Sequence, residues 1–181
     1  MVLTITFVKT GTNAEGALTG ELKLLDGGNV IRQSIAFSGG NSFNPLDDGQ
    51  YKLHLDIRGD ASTNKVRNDG TLEPFYGIQK VGTSVQAPNG KIFDMQVEWG
   101  SIRARLNPTG GAPDKGEYIH GKTRVRDYTH GCICDRTEAI LAYLWDLKNP
   151  PATIDVSVSG GKAFDLEALV RKNLGEPLKG A

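Results

Sequence analysis

Residues 118–138 read YIHGKTRVRDYTHGCICDRTE. Three local structures are legible in this stretch. Glu117-Tyr118-Ile119-His120 reads as a short strand ending on an imidazole, and residues 121–128 read as an irregular charged loop. Asp135 followed three positions later by Glu138 matches a capping box with Asp135 as N-cap. Ile140, Leu141, Leu144, Trp145 and Leu147 then form the apolar stripe of a helix that stops near Asn149-Pro150-Pro151. On this reading both cysteines, Cys132 and Cys134, sit at or just before a helix N-terminus, where exposed amides and the positive dipole end favour a thiolate.

Working outward, the rest of the chain reads as strands joined by turns. Residues 2–8 fit a strand. Leu22–Leu25 and Val30–Phe37 flank Asp26-Gly27-Gly28-Asn29, a hairpin signal. Tyr51, Leu53, Leu55 and Ile57 alternate with Lys52, His54, Asp56 and Arg58, which describes a strand wet on one side and makes His54 an ordinary surface histidine. Residues 59–74 read as a long surface excursion. Further strands are expected at Phe75–Val81, Gly90–Trp99, Ile102–Leu106 and Thr153–Val158, with Arg103 and Arg105 solvating an edge. A short helix is expected over Asp165–Leu174, with Gly175 as its C-cap. The expected class is mainly β, in one domain over residues 1–181, with one principal helix after the cysteines.

Composition narrows the function. The 21 Lys and Arg offset 21 Asp and Glu, so no general attraction for nucleic acid or anionic membrane is indicated. Arg124, Arg126 and Arg136 form a local basic cluster suited to one small carboxylate-bearing ligand. No apolar run approaches the roughly 18 residues that span a bilayer. The N-terminal MVLTITFVKTG reads as a strand rather than a secretory signal, so synthesis in the cytoplasm is expected, with export by another route if the protein acts outside.

Two cysteines two residues apart do not make a disulfide framework. A reactive thiol is the preferred reading; inert buried thiols, a metal ligand and a redox pair are the alternatives. A cysteine nucleophile needs a base within reach, and His120, on a separate element, is better placed than His130 on the same tight segment. The backbone N–H groups of Cys132, Gly131 or Ile133 would receive an oxyanion, His130 would hold the loop, and Arg136 would bind a substrate carboxylate. Zinc held by His120, His130 and Cys132 is a rival, although CxC is not the usual knuckle spacing. A noncatalytic binding module with core cysteines and capping histidines is another.

The IHG of residues 119–121 followed by THGCI at 129–133 resembles the signature of the L,D-transpeptidase catalytic domain, also called the YkuD domain. AFSGGNSFNPLDDGQYKLHL at 36–55 is similar to that family's upstream segment, with Ser38, Gly39, Pro45, Gly49 and Tyr51 in matching places. The resemblance covers roughly residues 20–148 and implies a YkuD-like β-sandwich of curved mixed sheets. It implies Cys132 as nucleophile, His120 as base, and Thr129, His130, Gly131 and Gly121 around the pocket and oxyanion hole. Tyr118, Ser38, Arg124 and Arg136 are then the residues expected at the substrate.

Two departures stand out. Only eight residues separate His120 from Thr129, where usual members carry a longer insertion. Cys134 stands where an arginine commonly follows the HGC block. The short segment and the lack of a signal look most like the branch deployed as antibacterial type VI secretion effectors. What this implies is cleavage of the diaminopimelate to D-alanine bond in peptidoglycan tetrapeptide stems, as L,D-carboxypeptidase or L,D-transpeptidase, without cofactor. It also implies action in a target cell's periplasm, with an immunity protein and a secretion component as partners.

Overall fold

Alternating side chains along the first strand set the sheet: Leu3, Ile5 and Phe7 are buried while Thr4 and Thr6 between them keep solvent contact. The computed structural model describes residues 2–60, 66–111, 113–121 and 126–160. In chain order the elements are β1 (Leu3–Thr12), β2 (Leu18–Asp26), β3 (Asn29–Ser38), β4 (Gly49–His54), β5 (Arg58–Asp60), β6 (Ile78–Lys80), β7 (Val85–Gln86) and β8 (Ile92–Phe93). There follow α1 (Gln96–Trp99), β9 (Ile102–Arg105), β10 (Asn107–Thr109), β11 (Tyr118–Gly121), β12 (Ile133–Asp135), α2 (Ala139–Asp146) and β13 (Thr153–Ser159). The protein is mainly β. The helix expected over Asp165–Leu174 lies outside the described residues.

Eleven strands form one mixed sheet in the order β10-β4-β13-β1-β2-β3-β12-β11-β9-β6-β5. β9 and β10 lie far apart in that order, yet only Leu106 separates them in the chain, so the sheet curls until its two ends nearly meet. Asn107 ties this closure: its side-chain amide donates to the carbonyls of Lys52 and Tyr76, from the two ends. Leu106, fully buried, fills the space enclosed.

The hairpin read at Gly27-Gly28 is present, joining β2 to β3 with both glycines at positive φ. The alternation from Tyr51 is present too, with Tyr51, Leu53 and Leu55 buried and His54 partly exposed beside Asp56. The strand expected over Gly90–Trp99 is instead the second half of the small β7–β8 hairpin followed by the turn of helix α1. That segment carries its own apolar cluster, in which Val66, Leu72, Val81, Val85 and Met95 pack together and Trp99 leans on them.

Helix α2 buries Ile140, Leu141 and Leu144 against the sheet, a contribution of about 1.5–3 kcal/mol per side chain. Its start differs from the capping-box expectation. Asp135 is a strand residue, paired with Ala36 of β3 and Gly121 of β11, and its carboxylate accepts bonds from Ser34 Oγ at 2.5 Å and the Thr137 amide at 3.0 Å. Glu138 takes a left-handed conformation (φ 57°) and turns its carboxylate to Ser101, accepting from the Ser101 amide at 2.9 Å and from its hydroxyl. The helix begins one residue later, so Cys132 stands before a strand and not at a helix N-terminus. The α2 dipole therefore does not favour its thiolate.

Candidate active site

Parallel pairing of β11 with β12 places Ile119 opposite Ile133 and His120 opposite Cys134. Ile119 and Ile133 enter the core, so Tyr118, His120 and Cys132 share the other face. There the Tyr118 amide donates to Cys132 Sγ at 3.3 Å. Cys132 and His120 line the same cavity, of about 80 Å³. Glu98, Trp99, Arg126, Tyr128, Thr129 and His130 complete its lining.

The His120 ring is buried, and its Nδ1 lies 2.8 Å from the Gly121 carbonyl oxygen. A carbonyl only accepts, so Nδ1 carries the proton and Nε2 keeps its lone pair. A backbone oxygen thus does the orienting that a carboxylate does in many triads. Trp99 meets the ring edge-on at 5.3 Å between centroids. Burial depresses the imidazole to about 4, against the Gly121 bond, and the Arg103 and Arg126 charges push the same way as burial.

Cys132 keeps partial solvent contact as a residue. Its sulfur is enclosed enough that burial pushes the thiol up to about 11; the Tyr118 amide opposes this, Glu117 adds to it, and Arg103 and Arg105 oppose it. The resting pair at neutral pH is therefore thiol plus neutral imidazole, and charge develops only as sulfur reacts.

The turn ahead of Cys132 is held from below. Thr129 Oγ1 donates to the Cys132 carbonyl at 2.7 Å and accepts from the Gly39 amide at 3.0 Å. Ser38 Oγ donates to the Gly131 carbonyl at 3.0 Å and accepts from the Leu46 amide at 2.8 Å. Gly131 has φ +115°, and a β-carbon there would sit 3.3 Å from Glu117 Oε1, so the turn requires glycine. Hence the upstream SGG…NPL stretch reaches the site through hydrogen bonds to the loop that carries Cys132.

Placement of the expected residues is mixed. Cys132, His120, His130 and Thr129 gather round the cavity, and Gly131 lies in the loop behind it. His130 is exposed and stacks on Phe43, ring centroids 3.9 Å apart, so it is part of the rim. Gly121 acts through its carbonyl, which takes His120 Nδ1 and also Cys134 Sγ at 3.4 Å. Ser38 is fully buried, and Tyr118 is nearly so, its hydroxyl accepting the Phe75 amide at 3.0 Å. Neither lines the cavity as a substrate contact. Arg136 points elsewhere, over the Phe37 ring at 5.5 Å, whereas Arg126 of the same cluster lines the cavity and pairs with Glu98. Arg124 lies outside the described residues.

Arg103 and Arg105 correct the edge reading. β9 is interior to the sheet, between β11 and β6, and both arginines are buried, at 1% and 6% exposure. Trp99, Glu98, Glu117 and Tyr128 were not singled out from sequence. The arginines carried a signal nonetheless: two cations alternating with Ile102, Ala104 and Leu106, in a chain with aromatic residues at 76, 99 and 118 to receive them.

Cys134 is fully buried beside Ala17 and Phe37. Among the described residues no three His, Cys, Asp or Glu are disposed to hold a metal ion, which gives the zinc reading no geometric support. No family model matches the chain, and no curated protein matches it.

Proposed function

We propose that the chain is a cysteine acyl-transfer enzyme of the L,D-transpeptidase kind, acting on peptidoglycan tetrapeptide stems at the diaminopimelate to D-alanine bond. The observation that carries it is the arrangement of Cys132 and His120 on one face, in one cavity, with His120 Nδ1 tied to Gly121 so that Nε2 is free to take the thiol proton. The motif resemblance supplies the substrate class.

In this mechanism Cys132 Sγ gives its proton to His120 Nε2 and attacks the carbonyl carbon. The carbonyl π electrons move to oxygen, held by backbone amides at the Cys132 turn. Collapse breaks the C–N bond, and His120 returns the proton to the departing D-alanine amine, leaving a thioester. Water resolves it in a carboxypeptidase and an amine in a transpeptidase. The resemblance also carries the proposal that the protein is a delivered antibacterial effector, with an immunity protein and a secretion component as partners. No helix among the described residues is long and apolar enough to cross a membrane.

The test is a defined tetrapeptide incubated with wild type and with Cys132→Ala. D-Alanine release, and a thioester-mass adduct only in the wild type, are expected. Release unchanged by the substitution would reject Cys132 as nucleophile.

A further inference from the structure

We infer that Arg103 is the positioning residue that makes the Cys132 thiolate accessible, a buried cation whose counter-charge is the one that develops on sulfur during reaction. This rests on reading Cys132 as the nucleophile.

Arg103 is 1% exposed. Its guanidinium lies between two rings, 4.7 Å from the centroid of Trp99 and 4.7 Å from that of Tyr118. Nε donates to Gln79 Oε1 at 2.7 Å and a terminal nitrogen to the Glu73 carbonyl at 2.7 Å. Every one of these partners is formally neutral. Among the described residues no carboxylate lies within ion-pair distance of it, whereas Arg105, two residues on, pairs with Asp114 at 2.6 Å. Burying an ion costs several kcal/mol; two charge-assisted hydrogen bonds and two ring faces offset that cost but supply no negative charge. A cation so placed is available to an anion formed nearby.

The register gives the use. Arg103 is the cross-strand partner of His120, and Arg105 that of Tyr118, whose amide touches Cys132 Sγ. The cation therefore stands on the strand next to His120, with the Cys132 segment one strand further on, beyond β11. The other charged groups facing the sulfur are Glu117 from the approach to β11, which opposes a thiolate, and Arg105, which favours it. Arg126 and Glu98, across the cavity, are paired with each other. When the thiol proton passes to His120 Nε2 the sulfur keeps the electron pair, and Arg103 opposes part of what burial and Glu117 cost the thiolate. It also disfavours a resting imidazolium, which keeps His120 ready as a base.

The experiment is the initial rate of Cys132 alkylation by iodoacetamide between pH 7 and 9, with the adduct assigned to residue 132 by fragment mass. The proteins compared are wild type, Arg103→Met, Arg103→Gln and Arg103→Lys. Each neutral variant is expected to react about tenfold or more slowly at every pH, one pH unit in the thiol being a tenfold change in thiolate. Arg103→Lys is expected to recover most of the rate. Equal rates in a folded neutral variant, or a Lys variant as slow as Met, would overturn the inference.

If neither neutral variant folds, Cys132→Asp is compared with Cys132→Asn. A cation awaiting an anion makes the Asp protein the more stable at pH 7, with the difference lost on acidification; equal stability overturns the inference. Alkylation needs no substrate, so a wild type that releases no D-alanine while the rate pattern holds refutes the proposed function and leaves Arg103 in its role.

Discussion

The carboxylate of Glu138 fills the space that a β-carbon on Gly121 would need, and the same carboxylate abuts Gly100. Three segments meet at that point: the end of β11, which carries His120, the turn before β9, and the start of α2.

Gly121→Ala is accordingly expected to drive the carboxylate off Ser101 and shift β11, with a loss of about 1–3 kcal/mol in urea unfolding. Activity should fall further than stability suggests, since the carbonyl that orients His120 belongs to the same residue. In the double variant with Glu138→Ala part of the unfolding loss should return, because the obstructing group is gone.

Acid should weaken the fold through His120. Its folded value of about 4 lies below the ordinary 6.5, so the unfolded chain takes up the proton first. Stability is complete above about 6.5, declines as pH falls toward about 4, and loses up to roughly 3 kcal/mol from this group. His120→Gln should flatten that part of a stability–pH curve. In the wild type the acid limb of kcat/KM should lie near 4, well below that of an ordinary histidine base.

Ser38→Ala removes one hydroxyl that serves two buried backbone groups, the Gly131 carbonyl and the Leu46 amide. Leaving them unsatisfied should cost about 1–3 kcal/mol. The loosened loop carries Cys132, the proposed nucleophile, so kcat should drop while KM changes little. A raised KM with kcat preserved would instead make Ser38 a substrate contact.

Arg126 and Arg136 should separate cleanly. Arg126→Ala, at the cavity wall, is expected to raise KM for a carboxylate-bearing stem about tenfold, in keeping with loss of a charge-assisted hydrogen bond. Arg136→Ala, on the outer face against Phe37, should leave kcat and KM unchanged.

Strand content was legible because period-two alternation at 3–7 and 51–55 and the Gly27-Gly28 turn are local signals. That Cys132, His120 and the Gly131 turn belong to one place was legible because they lie within thirteen consecutive residues, 120–132. The rest is tertiary. Asp135 and Glu138 have capping-box spacing, but Ser34 and Ser101, each far away in sequence, claim their carboxylates. Arg103 and Arg105 alternate as an edge strand does; only the docking of β6 and β11 on either side makes them interior. Ser38 was found by motif, yet what it touches depends on how residues 129–131 fold back over β3.

The last described strand, β13, lies between β1 and β4, parallel to the first and antiparallel to the second. Until residues 153–159 have left the ribosome, β4 and β10 have no seam to the β1–β3 meander, and the barrel-like curl cannot shut. A growing chain is thus denied a closed sheet until this late strand arrives to join its two halves.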